Sequence, residues 1–177
     1  MLTPRTVQAH CTYLDGPDLN LVHKAGTAIA HCPLSNVYFS ARPFKLREAL
    51  QAQVLVGLGT DIAGGYSVDI MSAMRQAVIV SRMRENDRVV AQSSATEKKE
   101  DGKESLAINW KEALYLATRG GATALRLPEG TGTFAVGAPF DAQQSGFIHD
   151  ALYATTLANK SHSQRLRPRS GNWHWST

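Results

Sequence analysis

An α/β fold with a parallel sheet is predicted for this 177-residue chain, on two observations. Short apolar strands alternate with helical segments in the order strand, helix, strand, helix, strand, helix, which argues for right-handed βαβ units. Each of the three strands also ends on a polar ionisable residue: His10, His31 and Asp61. The active site of a (β/α) barrel is built on the C-terminal strand ends, so three such residues in the same relative position point to a shared site. Each taken singly also reads as a satisfied structural residue, His31 foremost.

Residues 5–9 read as the first strand, ending at His10. Gly16-Pro17-Asp18 opens a helix to about Lys24, with Pro17 suited to its first turn and Gly26 to its stop. Residues 27–30 form the second strand, ending at His31. Residues 32–36 are expected to be an irregular connection, because Pro33 blocks regular pairing and biases Cys32 to an extended shape. Residues 44–53 are helical, with Leu46, Ala49 and Leu50 facing inward. Residues 54–58 make the third strand, which passes through Gly59-Thr60-Asp61 into a glycine-rich turn at Gly64-Gly65. Ser67 is the expected N-cap of the next helix, with Asp69 in its first turn. An acid at the tip of a buried parallel strand, under glycines, is a typical address for a catalytic or metal-binding carboxylate. The competing reading is that Asp61 only caps a turn.

In the following helix Ile70, Met74, Ala77 and Val78 recur at helical spacing, and Met71 and Met74 read as core residues that fill irregular gaps. Residues 91–105, poor in apolar side chains and rich in both charges, read as a mobile charged loop. Asn109 caps a helix over 110–118, with Glu112 placed for a capping box. Gly120-Gly121 is expected to interrupt it before a further turn or two over 122–127. Residues 134–136 read as a short strand. Residues 145–177 read as an unpatterned, poorly ordered basic tail. Its Trp173-His174-Trp175 with nearby arginines is the kind of element that stacks on nucleic acid, but a disordered terminus is the simpler reading.

Composition narrows the function. Hydrophobic residues at 43 % and charged residues at 19 % are ordinary for a soluble domain. Three of the four net positive charges fall in residues 145–177, where Lys160, Arg165, Arg167 and Arg169 face only Asp150. The remainder is nearly neutral and shows no basic face for nucleic acid. No apolar run reaches the ~18 residues of a membrane span, and no signal pattern is present. Two cysteines, Cys11 and Cys32, make no disulfide framework, so a cytoplasmic location is expected.

Three motifs carry a resemblance. Val7-Gln-Ala-His-Cys11, Ala30-His-Cys-Pro-Leu-Ser-Asn36 and Gly57-Leu-Gly-Thr-Asp-Ile-Ala-Gly-Gly-Tyr-Ser67 resemble the C-terminal half of the guanine deaminases, within the metal-dependent amidohydrolase superfamily. Met74-Arg75, Ala117-Thr-Arg-Gly-Gly-Ala122 and Gly132-Thr-Phe-Ala-Val-Gly137 continue it in register to about Asp141. The Ala-His-Cys-Pro-x-Ser-Asn element is shared more widely, with triazine hydrolases and adenosine-type deaminases.

The resemblance implies a partial (β/α)8 TIM barrel over residues 1–132, carrying its sixth, seventh and eighth strands, and the start of a β-sandwich return over 133–144. It implies that Asp61 ligates Zn²⁺ and takes a proton from its bound water. His10 would hydrogen-bond that water, and His31 would support the seventh-strand loop without being a ligand. Gly64, Gly65 and Ser67 would lie near the purine. The implied reaction converts guanine and water to xanthine and ammonia; zinc lowers the pKa of bound water to about 7, and a carboxylate can pass the proton on. The implied substrate is a small purine, and the complete enzyme is implied to be a homodimer.

The 177 residues contain no His-x-His and no His-x-x-Glu, the elements that supply the family's other zinc ligands and its main proton shuttle. One carboxylate, or one with a histidine, falls short of the three protein ligands usual for catalytic zinc. A barrel also needs ~200 residues or more. The chain is therefore expected to be a piece of such an enzyme, inactive by itself. The alternatives are a noncatalytic remnant that pairs through an exposed barrel edge, and a superfamily hydrolase acting on another aminated heterocycle.

Overall fold

The computed structural model describes residues 1–94, 104–139, 144–148 and 151–155. Its centre is a parallel sheet of β1 (Val7–Ala9), β2 (Ala28–His31) and β3 (Leu55–Leu58) in the order β1-β2-β3. Val7 pairs with Ala28, Ala30 with Gly57 and His31 with Leu58. Between the strands run α1 (Gly16–Lys24), then α2 (Pro33–Phe39) and α3 (Leu46–Gln51). After β3 come the long α4 (Ile70–Ser94), α5 (Trp110–Tyr115), a π-helical turn over Leu116–Gly120 and α6 (Gly121–Ala124). Parallel strands need such crossovers, and the helices they bring supply the cover the sheet requires.

The core follows from that layering. Leu19 and Val22 of α1, Ile29 of β2, Leu46 and Ala49 of α3 and Val56 of β3 join Met74, Ala77, Ile108 and Leu116 in one buried cluster. Polar clips fix the helices around it. Arg84 forks onto Glu48 at 2.9 and 2.5 Å, and Arg47 reaches Glu112 and the Ala107 carbonyl, each at 2.7 Å. The buried Ser81 hydroxyl accepts from the Ile108 amide at 2.9 Å and donates to the Val78 carbonyl at 2.8 Å.

Several sequence expectations need correction. Residues 33–39 are helical: Pro33 stands in the first turn, where it has no partner N–H to lose and its φ is already suitable. Ser67 does not cap α4. Asp69 does, accepting from the Met71 and Ser72 amides at 3.1 and 3.0 Å, while the Ser67 hydroxyl accepts from the Asp69 amide at 3.3 Å. Residues 91–94 belong to α4 rather than to a loop, and 95–103 lie outside the described residues.

Gly120-Gly121 does not break the helix. The chain widens into the π turn and continues, which lets the glycine backbone lie directly on β3. A Cβ on Gly57 would stand 2.9 Å from Gly121 Cα, and one on Gly120 would stand 3.0 Å from the Val56 carbonyl. Residues 134–136 form no strand. The capping box at Asn109 and Glu112 is present as expected.

The chain divides into two compact units, Met1–Pro139 and Phe140–Thr177. Within the second, where no pattern was expected, β4 (Gln144–Ile148) and β5 (Ala151–Thr155) pair antiparallel. Trp173 and Trp175 lie outside the described residues. No helix among the described residues is long and apolar enough to cross a membrane.

Candidate active site

Each strand of the sheet hands the chain to the site at its C-terminal end. After Ala9 the amide of His10 still bonds the Ala30 carbonyl at 3.0 Å. His10 and Cys11 then turn left-handed, with φ of 68° and 52°, and lift the imidazole off the sheet. After β3, Gly59 bonds the His31 carbonyl at 2.9 Å, and Asp61 turns left-handed in the same way, at φ 54°. Non-glycine residues in this region cost of order 1–3 kcal/mol and concentrate where function demands them. Both foremost candidates adopt it.

The tight loop after Asp61 is closed by the Gly65 amide on the Asp61 carbonyl at 2.6 Å. Gly65 is required by space: a Cβ there would run into the Thr60 backbone carbonyl, while one on Gly64 would press on the Asp61 carboxylate. The glycines therefore shape the loop beneath the acid.

His10 and Asp61 meet across a cavity of about 400 Å³, whose wall also includes Tyr13, Ser35, Asn36 and Phe39. His10 Nε2 stands 3.9 Å from Asp61 Oδ2, too far for a hydrogen bond. The other ring nitrogen, Nδ1, lies 2.8 Å from Asn36 Oδ1, and Asn36 Nδ2 lies 3.3 Å from His31 Nδ1. His31 itself is 2 % exposed and tilts against Phe44 with ring centroids 4.9 Å apart. Burial, with a smaller push from His10, lowers its pKa to about 3, so it stays neutral at ordinary pH. Cys32 is no nucleophile: burial, then the charge of Asp61, pushes its thiol up to about 11.

The three strand-tip residues are thus brought together, but in different roles. His10 and Asp61 face the cavity, whereas His31 lies beneath it and touches it only through Asn36. Gly64, Gly65 and Ser67 do not form the cavity wall. Reading the sequence missed Asn36 and Ser40, whose hydroxyl donates to Thr12 Oγ1 at 2.9 Å. Asn36 closes the Ala30–Asn36 motif, and Pro33 bears on its placement, since a helix beginning there brings position 36 back over its first turn.

As a metal centre the site falls short by itself. Among the described residues no group of three or more His, Cys, Asp or Glu side chains is placed to hold a metal ion, and catalytic zinc takes three protein ligands. His31 Nδ1 is already engaged by Asn36. The donor set that remains, Asp61 with His10, does not fit the ion.

A model of the amidohydrolase family matches residues 1–143. Guanine deaminase of Homo sapiens is 42% identical over 142 residues, which is 80% of this chain and 28% of that protein. Among solved structures, a guanine deaminase from C. acetobutylicum with guanine bound in its active site superposes with a TM-score of 0.64 at 26% identity, over 78% of this chain and 29% of that one. An adenosine deaminase from Xanthomonas campestris with bound zinc gives a TM-score of 0.62 at 25% identity, over 77% and 27%. The chain spans between 24% and 34% of the length of curated relatives it matches. With that match running across the sheet and all three strand tips, the chain belongs to the amidohydrolase family.

Proposed function

We propose that this chain is a segment of a zinc-dependent guanine deaminase and carries one side of its active site. The observation that supports this most is the pairing of His10 and Asp61 over a cavity at the strand ends, within a stretch 42% identical to a guanine deaminase. The three strands are the sixth, seventh and eighth of a (β/α)8 barrel, residues 1–132 are its C-terminal part, and 133–144 begin the sandwich return.

In the reaction, water oxygen bonds to the ring carbon that bears the amino group, the C–N bond breaks, and ammonia leaves xanthine behind. The Asp61 carboxylate accepts a proton from the attacking water, and that proton passes to the departing nitrogen, which leaves as ammonia. Nε2 of His10, 3.9 Å from the carboxylate across the same gap, hydrogen-bonds that water and helps to orient it. The loop through Gly64, Gly65 and Ser67 lies near the purine. Zinc enters through the zinc-bearing relative; the residues of this chain do not complete its ligand set, so the isolated chain is inactive. A cytoplasmic homodimer accompanies this reading of the complete enzyme.

The likeness to an adenosine deaminase favours a second reading, a hydrolase acting on another aminated heterocycle. Replacing the matched stretch of human guanine deaminase by residues 1–143 of this chain separates them. Ammonia release from guanine, with none from adenine or an aminotriazine, is the expected outcome; the reverse preference supports the second reading. No ammonia from any of them by a folded, zinc-loaded chimera favours the noncatalytic remnant.

A further inference from the structure

Asn36 stands between the two histidines. An amide oxygen only accepts hydrogen bonds and an amide NH₂ only donates them. With the amide placed as it is, Oδ1 2.8 Å from His10 Nδ1 pairs with a proton on that ring nitrogen, and Nδ2 3.3 Å from His31 Nδ1 pairs with a bare one; the amide turned over would reverse both. The two contacts support each other. His31 is buried against Phe44, cannot turn out to solvent, and as a neutral ring has one unprotonated nitrogen to offer the amide. If the proton of His31 sits on Nε2, its bare Nδ1 holds the Asn36 NH₂ and turns the amide oxygen towards His10. Asp61 cannot set the His10 tautomer instead, because its Oδ2 is 3.9 Å from Nε2, beyond hydrogen-bond reach.

We propose that Asn36 is a positioning residue that fixes the tautomer and ring plane of His10, holding a proton on Nδ1 and presenting Nε2 to Asp61 and the cavity. The inference rests on the proposed reading of the site only for the use to which Nε2 is put. Nε2 is then the one ring atom free to exchange a proton or a hydrogen bond with a bound molecule. The orienting group of a catalytic histidine is often a carboxylate; here it is a neutral amide, itself held by a second, buried histidine. The placement depends on two local features. Pro33 starts α2 immediately after β2, which puts Asn36 on its first turn, and the left-handed backbone of His10 lifts its ring to meet it.

Long-range ¹H–¹⁵N correlation spectra of the full chain labelled at histidine nitrogen, recorded in mildly alkaline buffer, read both tautomers without substrate or metal. The wild-type chain should show Nδ1–H at His10 and Nε2–H at His31. Asn36→Asp keeps the acceptor but loses the donor, so His10 should stay Nδ1–H while the His31 proton moves to Nδ1, a shift that a merely structural role would not produce. Asn36→Ala should release His10 to the mixed tautomers of free imidazole. The proposal is overturned by Nε2–H at His10 in the wild type, by averaged tautomers there, or by an Nδ1–H that survives Asn36→Ala. Should the alanine variant fail to fold, the wild-type and Asn36→Asp spectra decide alone. Because no turnover is measured, failure here is distinct from failure of the deaminase reading.

Discussion

His31 shows how a strand-tip histidine can belong to a site without facing it. Its pKa is lowered from 6.5 to about 3, chiefly by burial, so between these values the unfolded chain binds one proton that the native chain does not. The stability this residue contributes is complete above about pH 6.5 and is lost as pH falls towards 3, at ~1.4 kcal/mol per pH unit. Carboxylates such as Glu48, which Arg84 holds below the ordinary range against the opposing effect of burial, matter only at lower pH. Urea titrations between about pH 5 and 6.5 read this dependence, and His31→Gln should flatten the slope there by about one proton. An unchanged slope would mean that the ring is solvated. The sequence placed His10, His31 and Asp61 at strand ends and read His31 as the most structural of them. It could not reveal Asn36, because that role depends on where two side chains from other elements end up pointing.

At the scale of elements, the strands and most helices were legible because their signals are local: apolar runs, Pro17 in a first turn, Asn109 three residues before Glu112. The capping box at Asn109 satisfies the Lys111 and Glu112 amides at 2.9 and 3.1 Å, so Asn109→Ala should cost about 1 kcal/mol, read as a lower urea midpoint at unchanged slope. The errors arose where tertiary contact decides. Gly120-Gly121 looks like a break, yet those glycines are what let the helix lie on the backbone of β3. Gly57→Ala would set a methyl carbon 2.9 Å from Gly121 Cα, backbone against backbone with no flexible side chain to yield. It should destabilise the chain by about 1–3 kcal/mol as overpacking does, measured in the same titration. A change within error would show that α6 is not seated as described. Likewise, Asp69 rather than Ser67 caps α4 because the Ser67 hydroxyl bonds the Asp69 amide; two capping-type residues two positions apart cannot be ranked from sequence.

For the whole molecule, the α/β class and the parallel order were readable, since alternation of strand and helix leaves few other topologies. What sequence could not supply is the depth of the cavity and the identity of its wall, which depend on how α2 and the turn after β1 approach each other. The central claim is that Asp61, with His10 across from it, contributes one side of a guanine-deaminating site whose remaining ligands lie outside these 177 residues. Its most direct test is xanthine formation by the zinc-loaded human chimera carrying residues 1–143 of this chain, with and without Asp61→Asn. The account predicts turnover of guanine that falls by at least about a thousandfold, ~4 kcal/mol, when the carboxylate becomes an amide. Turnover that persists in a folded Asp61→Asn chimera would contradict it.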